Sequence, residues 1–189
     1  MALPPRIPVD TLLHLIDEPY QSACRTILQE HRVLFQTVQG STHNHQAWPG
    51  GYYDHVQEVM NFAPHLYAIA SRWFDTLPFS LSDALLILFL HDIEKPWKYE
   101  WGPDGHLQEI EALRSKDAQH EFRARKLHEY GIVLTAPQAN AMRYVEGELA
   151  EYSNKRRVMN ELAAFCHCCD TISARIGYNL PQAEDRLRG

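Results

Sequence analysis

The sequence predicts an all-α protein that forms a single-domain helical bundle, and three observations lead to this prediction. Apolar residues recur at helical spacing through most of the chain, as Ile27, Leu34 and Val38 do. No segment shows the alternation typical of a strand, and no internal repeat is visible. The length of 189 residues and the 45% content of hydrophobic residues suit one domain with a substantial core.

The N-terminal part, residues 1–40, is expected to form an arm and helices that pack on the core. Its first residues are rich in proline and predict an extended arm. Helical spacing follows over residues 10–39, interrupted at Pro19. The functional core is expected at residues 41–177, and residues 178–189 are expected to form a loosely held tail.

The first helix of the core is predicted to follow a loop that contains two histidines and a tryptophan, residues 40–50. Residues 51–74 have helical spacing, which puts His55 in the second turn. Pro64 lies inside this segment and predicts a kink or a break, because proline cannot donate the backbone hydrogen bond that a helix interior needs.

A strongly apolar helix is predicted at the centre of the chain. The run from Ala84 to Leu90 is wholly apolar. An N-cap at Ser80 is expected to start the helix, and Pro96 is expected to end it. This helix would deliver His91 and Asp92 into the interior, where unpaired polar groups are costly. A divalent metal ion is the compensation we expect.

Three further helices are predicted, over residues 107–130, 135–151 and 156–176. A Trp-Gly-Pro-Asp-Gly turn precedes the first of them, and Gly131 is suited to end it. The last of the three carries Asp170.

Composition argues against several classes of function. The net charge of −6 is not that of a general nucleic-acid binder, although a local basic groove stays open. The first residues lack the pattern of a signal peptide, and no apolar run approaches the roughly 20 residues that span a bilayer. We therefore expect a cytoplasmic protein without membrane contact. A homo-oligomer is an open alternative.

The four cysteines do not have the spacing of a zinc finger or ribbon. Three of them crowd together, and on a helix Cys166 and Cys169 share a face that Cys168 does not. Packing of small side chains near the core is the favoured interpretation. A second metal site or a redox pair is the alternative, and disulfides are not expected in the cytoplasm.

Side chains suited to metal binding lie on different predicted helices: His55, His91 with Asp92, and Asp170. Imidazole nitrogen and carboxylate oxygen suit divalent ions such as Mn, Co, Ni, Fe, Zn or Mg. Adjacent residues of a helix project about 100° apart, so the His-Asp pair can share an ion only near a helix end. The pair falls at such an end.

Three segments of the chain match motifs of one family in the same order. Residues 91–95, HDIEK, are similar to an H-D-h-x-K signature at the end of an apolar helix. Residues 44–55, NHQAWPGGYYDH, resemble an H-H-A-x-x-G-G-L-L-E-H segment, and residues 169–175, CDTISAR, resemble A-D-x-h-s-A-R. Together they resemble the HD-domain superfamily of metal-dependent phosphohydrolases. The glycine-containing segment resembles the HD branch that includes bacterial 3′-to-5′ exoribonucleases.

The resemblance covers about residues 44–175 and implies an HD-type helical bundle. The implied ligands of one divalent ion are His55, His91, Asp92 and Asp170. Binuclear relatives add two histidines before the last aspartate. His120 stands where the first is expected, but Glu146 or Glu148 stands at the second. We therefore favour a single ion, with His120 and Glu146 near the phosphates or in a weak second site. An exposed His120 is the alternative.

The same resemblance implies roles in catalysis. Lys95 would bind the phosphate, because attack on phosphorus needs positive charge around the developing oxygens. Asp92 would also take a proton from the attacking water, and Glu94 is a weaker acid/base candidate whose side chain could point to solvent. Further phosphate donors are expected among Arg123, Lys126 and Arg175. A solvated helix face is the alternative for these three.

Aromatic residues surround the expected ligands in the sequence, and aromatic side chains stack on nucleobases. The stacking candidates are Trp48, Trp97 and Trp101, with Tyr52, Tyr53 and Tyr99 nearby. A cap on the core is the alternative role for them.

We expect a metal-dependent phosphohydrolase that acts on a nucleotide or another small phosphate ester. The second hypothesis is a 3′-to-5′ exonuclease or phosphodiesterase on short single-stranded nucleic acid, which the net charge disfavours. The third is a di-iron HD oxygenase, which would need the extra histidines. The fourth is a non-catalytic binding module, against which the intact ligand set and Lys95 argue.

Overall fold

The computed structural model describes residues 6–41, 45–103 and 107–176, and it confirms the all-α fold class. For Trp101, Leu107 and Leu149 it describes the backbone alone. The helices are α1 (Val9–Leu13), α2 (Tyr20–Thr37), α3 (Gly51–Trp73), α4 (Leu81–Leu90), α5 (Lys95–Lys98), α6 (Lys116–Glu129), α7 (Ala136–Tyr144) and α8 (Glu161–Thr171). A π-helical turn, Ile172–Ile176, continues α8, and two short strands form a hairpin.

Helix α4 lies at the centre of the core, as predicted. Every side chain from Ala84 to Leu90 is fully buried, and α3, α7 and α8 pack around this helix. The capping box explains its start: the Ser80 Oγ accepts the Asp83 backbone N–H at 3.0 Å, and the Asp83 carboxylate accepts the Ser80 N–H at 2.9 Å. Asp83 also accepts the Gln138 side-chain N–H at 2.7 Å, which ties α7 to the same point.

Two predictions about proline were wrong. Pro96 does not end α4, which ends at Leu90; it lies in the first turn of α5, where a helix needs no N–H from it. Pro64 does not break α3, which continues through it with Met60 and Ala63 buried in the core. The interrupted helix is α2 instead, where His31 has φ −115° and ψ 15°.

The region after α5 also differs from prediction. Strands β1 (Tyr99–Trp101) and β2 (Leu107–Glu109) pair antiparallel, where a turn and the start of a helix were expected. Three residues per strand are too few to show alternation. Helix α6 begins only at Lys116, because the Ser115 Oγ accepts the Ala118 N–H at 3.1 Å and caps it there.

Both later helices are shorter than predicted. Helix α7 ends at Tyr144, and α8 begins after Asn160, whose side chain accepts the Ala163 N–H at 2.8 Å. Between them the Glu148 carboxylate accepts the N–H groups of residues 158 and 159 at 2.9 and 3.1 Å. The backbone N–H groups of residues 158 and 159 therefore donate to a side chain and not to the backbone carbonyls of a helix.

The described part of the chain contains no helix that is both long and apolar enough to cross a membrane. On α8, Cys166 and Cys169 are buried and Cys168 is exposed, which confirms the predicted shared face. No candidate metal cluster among the described residues includes a cysteine. The predicted tail, residues 178–189, lies outside the described residues.

Candidate metal centre

Three ligand atoms from three helices converge at the C-terminal end of α4. The Nε2 atom of His55 lies 3.2 Å from the Nε2 atom of His91 and 3.3 Å from Oδ1 of Asp170. The His91 Nε2 atom lies 3.7 Å from the same carboxylate oxygen. All three atoms are within 4.8 Å of one another, so this group could hold a metal ion.

The fold explains why these side chains meet. His55 lies in the second turn of α3, His91 directly follows the last residue of α4, and Asp170 lies near the end of α8. Helix α4 packs against both α3 and α8. His55 is 0% exposed and His91 is 1% exposed, so both histidines of the cluster are buried.

Asp92 borders this group and is bound to a lysine. Its Oδ2 atom lies 3.4 Å from the His91 Nε2 atom and 3.6 Å from the His55 Nε2 atom. The Lys95 ammonium, one helical turn further on, lies 2.7 Å from the same oxygen. The structure therefore brings all four expected ligands together, and Asp92 shares its carboxylate with Lys95.

Hydrogen bonds behind the imidazoles orient both rings. The His91 Nδ1–H donates to the Leu88 carbonyl at 2.9 Å. The His55 Nδ1–H donates to the Ser173 Oγ at 3.0 Å, because the Ser173 hydroxyl itself donates to the Glu58 carboxylate at 2.7 Å. Both rings thus have Nδ1–H bonded away from the centre and Nε2 facing it, and with Nε2 deprotonated each would present the lone pair that a metal-binding histidine requires.

Gln46 completes this network from the preceding loop. Its side-chain N–H groups donate to the Glu58 carboxylate at 3.1 Å and to the Ser173 hydroxyl at 3.2 Å. The loop fits closely on α3: a Cβ atom on Gly51 would lie 2.0 Å from the Gln46 carbonyl oxygen, and Gly50 has φ +82°. The glycine pair is needed for this approach and for the left-handed turn.

The sequence reasoning did not identify Gln46, Glu58 or Ser173 as parts of the site. Glu58 lies one helical turn after His55 and could have been found from that spacing. Ser173 lies one turn after Asp170, in the segment that resembles A-D-x-h-s-A-R. Nothing in the sequence pairs these two residues.

Burial and neighbouring charges shift the pKa values of the two histidines in opposite directions. Burial lowers the pKa of His55 to about 4. Burial also acts to lower the pKa of His91, but the Asp92 and Asp170 carboxylates outweigh it and raise that pKa to about 10. Burial acts to raise the pKa of Asp170, yet the two imidazoles that face its carboxylate hold that pKa below its usual range. The two carboxylates therefore stay ionised, balanced by protonated His91 and the Lys95 ammonium, and a metal ion that binds here would displace the His91 proton.

Glu94 does not point to solvent, contrary to one expectation. It is 2% exposed, and its Oε2 atom lies 2.9 Å from Nε of Arg123, which is 4% exposed. Arg123 also donates to Glu146 at 3.1 Å, and Lys116 binds the other oxygen of Glu146 at 2.5 Å. Arg123 is therefore a buried ion-pair partner: the alternative that pairs it with nearby glutamates on a solvated helix face was right about the pairing and wrong about the solvation.

His120 lies on the exposed side of α6, in agreement with the alternative interpretation. Glu146 pairs with Arg123 and Lys116, and Glu148 binds backbone N–H groups elsewhere. Among the described residues, the group at His55 is the only metal cluster found, so the structure offers no second site with His120 and Glu146.

The cluster opens into a cavity of about 410 Å³, hereafter the metal cavity. Asp92 and Asp170 lie at its base, and Lys95, Lys98 and Arg175 line it. His45 also lines this cavity; its ring centroid lies 5.2 Å from that of His55, and burial lowers the pKa of His45. Lys126 lies elsewhere, 4.6 Å above the ring of Trp97.

Neither Trp48 nor Trp97 lines this cavity. Trp97 is half-buried and packs on the core, with its ring 5.5 Å from that of Phe122, which agrees with the alternative of a cap on the core. Trp48 donates from Nε1 to the Asp54 carboxylate at 2.8 Å. The side chain of Trp101 lies outside the described part of the chain. Tyr52 is buried and Tyr53 is half-buried, and Tyr99 is the predicted aromatic residue that lines the cavity.

The fold and the cluster define a helical protein with a buried His-His-Asp group that could bind metal, which is compatible with an HD-type site. Comparison with protein-family models, curated proteins and solved structures finds no match for this chain.

Proposed function

We propose that this protein is a metal-dependent phosphohydrolase of the HD type that hydrolyses a nucleotide or another small phosphate ester. The observation that carries the proposal is the convergence of two imidazole Nε2 atoms and two carboxylates at the base of an open cavity. The resemblance of the three sequence segments agrees with this arrangement.

The donor set fits a divalent ion. His55, His91 and Asp170 would hold it, with Asp92 as a further ligand, and nitrogen with oxygen donors suit Mn, Co, Ni, Fe or Zn. Such an ion supplies Lewis-acid activation of water and of a phosphoryl oxygen. The fixed Nδ1 hydrogen bonds of both histidines keep their Nε2 atoms available for it.

Lys95 would neutralise the phosphoryl group. Burial acts to lower its pKa, but Asp92 and Glu94 outweigh it and keep the ammonium charged. Lys95 shares the Asp92 carboxylate, which would also be a ligand of the ion, so its ammonium would lie next to the phosphoryl group and stabilise the negative charge that develops there.

The carboxylates beside the centre have different roles in this proposal. Lys95 and the imidazoles outweigh burial and hold the pKa of Asp92 well below its usual value, so Asp92 is ionised, which suits a metal ligand better than a proton acceptor. Glu94 is bound to Arg123 inside the protein, so we assign it to holding that guanidinium instead of to acid/base work.

The charge around the cavity favours a small substrate over a polyanion. Four basic and five acidic side chains line it, namely Lys95, Lys98, Lys116, Arg175, Asp92, Glu94, Glu109, Glu146 and Asp170. Lys98 is paired with Glu109 at 2.9 Å. A long nucleic acid would meet no continuous basic surface here.

A substrate screen tests the proposal. The full chain is incubated with mononucleotides, cyclic dinucleotides and short oligonucleotides in the presence of Mn²⁺, Co²⁺, Ni²⁺ or Mg²⁺, and released phosphate and nucleotides are quantified. We expect turnover of a mononucleotide or small ester. Lys95→Met should lower it about 100-fold, as the loss of one charge-stabilising donor does, and Lys155→Met, at an exposed position, should not.

Turnover of oligonucleotides alone would contradict the substrate class. The absence of turnover with every ester and every ion would contradict the activity itself.

A further inference from the structure

A second cavity of about 710 Å³ lies between α6 and α7, beside the metal cavity. We propose that it binds a ring-bearing apolar group of the phosphorylated substrate whose phosphate lies in the metal cavity. This inference rests on the proposed function and names the kind of ester that the enzyme prefers.

The lining of the second cavity exposes more apolar than polar surface, although charged side chains such as Asp117, Arg143 and Glu151 also border it. The volume lies in the range of about 300–1,000 Å³ that is usual for small-molecule sites, which are mostly apolar with few polar groups. Its aliphatic side chains come from both helices and the segment between them: Ala124, Leu127, Leu134, Ala139 and Met142.

The two cavities share a wall. Lys116 and Glu146 line both, and their ion pair, at 2.5 Å, separates them. The Lys116 side chain is 56% exposed, and exposed ion pairs contribute little to stability. A ligand that spans both cavities can therefore displace this pair at small cost.

Arg123 lies in the wall between the two cavities and forms ion pairs with residues that line the metal cavity. It lines the second cavity, and its Nε atom lies 2.9 Å from Glu94, which lines the metal cavity. Its guanidinium is held by Glu94 and Glu146, and because Arg123 is only 4% exposed it forms part of the fixed wall of the second cavity.

Of the aromatic residues expected near the site, Trp97 packs against Phe122, Trp48 donates to Asp54, and Tyr99 lines the metal cavity. The lining of the metal cavity is mostly polar, and a larger apolar surface lies next to the phosphate position in the second cavity. A substrate with a phosphate and an adjacent ring, such as a nucleoside phosphate, would therefore use both.

Two phosphonates that cannot be hydrolysed test this inference. Methylphosphonate and (naphthalen-1-ylmethyl)phosphonate share the charged group and differ in the ring. Their binding to the Mn²⁺-loaded full chain is measured by calorimetry. We expect the naphthyl compound to bind at least tenfold more tightly than methylphosphonate.

A variant that fills the cavity identifies where the ring binds. Ala139→Trp adds bulk at an exposed position in the cavity wall and should remove most of the tenfold advantage without changing the affinity for methylphosphonate. Ala136→Trp, on the same helix but outside the cavity lining, should behave as the wild type. If Ala139→Trp does not fold, Ala124→Trp fills the cavity from α6.

The outcomes separate the two proposals. Equal affinity for both phosphonates, or an advantage that survives filling of the cavity, overturns the second-cavity inference while the proposed function stands. If neither phosphonate binds to the Mn²⁺-loaded protein, the phosphate position itself is wrong, and the proposed function fails together with this inference.

Discussion

Replacing Ser173 by alanine should weaken metal binding although Ser173 is not a ligand. The Ser173 Oγ accepts the Nδ1–H of His55 at 3.0 Å and so fixes the tautomer whose Nε2 lone pair faces the centre. In the alanine variant this buried N–H loses its partner. The imidazole can then move its proton to Nε2, which occupies the lone pair that an ion requires.

The structure sets the size of this effect. Loss of a hydrogen bond behind a ligating histidine lowers metal affinity about 10- to 100-fold, which corresponds to about 1.4–2.8 kcal/mol. Because the His55 side chain is 0% exposed, no water replaces the missing acceptor from the surface. The unpaired N–H should also lower the free energy of unfolding of the metal-free protein by about 1–3 kcal/mol.

The assay is competition between the protein and a chelator of known affinity for Zn²⁺, at constant pH. Ser71→Ala on α3 is the matched control, because its hydroxyl also bonds within the protein but lies at the exposed end of the helix. The control should bind as the wild type does. A Ser173→Ala variant whose dissociation constant stays within twofold of the wild type would refute the role of this hydrogen bond.

Three other changes have defined outcomes. Gly51→Ala should lower the free energy of unfolding by about 3 kcal/mol, since its Cβ would lie 2.0 Å from the Gln46 carbonyl oxygen. The control Gly131→Ala, at φ +67° with no atom within 4 Å of the added Cβ, should lower it by about 1 kcal/mol. Equal losses in denaturant titrations would contradict the close approach at Gly51. The apparent affinity for Zn²⁺ should rise about tenfold per pH unit between about pH 7 and 9, because His91, whose pKa is raised to about 10, must lose a proton to bind the ion. An affinity that does not change with pH in chelator competition would disprove this. Arg123→Met should lower the free energy of unfolding by about 3–5 kcal/mol, because it leaves the buried Glu94 carboxylate unpaired. This loss should become smaller as the pH falls and the Glu94 carboxylate is protonated. A loss of less than about 1 kcal/mol at neutral pH would be inconsistent with the ion pair.

The helix at the centre and its metal-binding end were predictable because their signals are local. A wholly apolar run is either a buried strand or a buried helix, the N-cap at Ser80 favoured the helix, and the structure has it as α4. His55, His91 and Asp170 could be grouped because each stands in a short recognisable segment. Their meeting in space follows once three helices pack around one core.

The network behind the ligands was not predictable because it joins distant parts of the chain. Gln46 and Ser173 are 127 positions apart, and Ser173 and Glu58 are 115 positions apart. Hydrogen bonds over such separations depend on the packing of the 45–50 loop against α3 and α8. The glycine pair was recognised as a motif, but its steric reason appears only when the distance from Gly51 to Gln46 is known.

Side-chain direction explains the errors at the site. Trp97 and Glu94 follow the HD pair closely in the sequence, yet both turn into the protein, one toward Phe122 and one toward Arg123. Near a short helix such as α5, spacing does not determine which face is buried. The strands of the hairpin were missed for a related reason, since three residues are too short to display a period.

The metal content of the full chain tests the central claim most directly. After saturation with Mn²⁺ or Zn²⁺ and removal of free ion, native mass spectrometry should find one divalent ion per chain. His91→Ala and Asp170→Asn should each lose that ion, whereas His65→Ala, an exposed histidine on α3, should keep it. If the His91 and Asp170 variants retain the same ion as the wild type, the proposed metal centre does not exist.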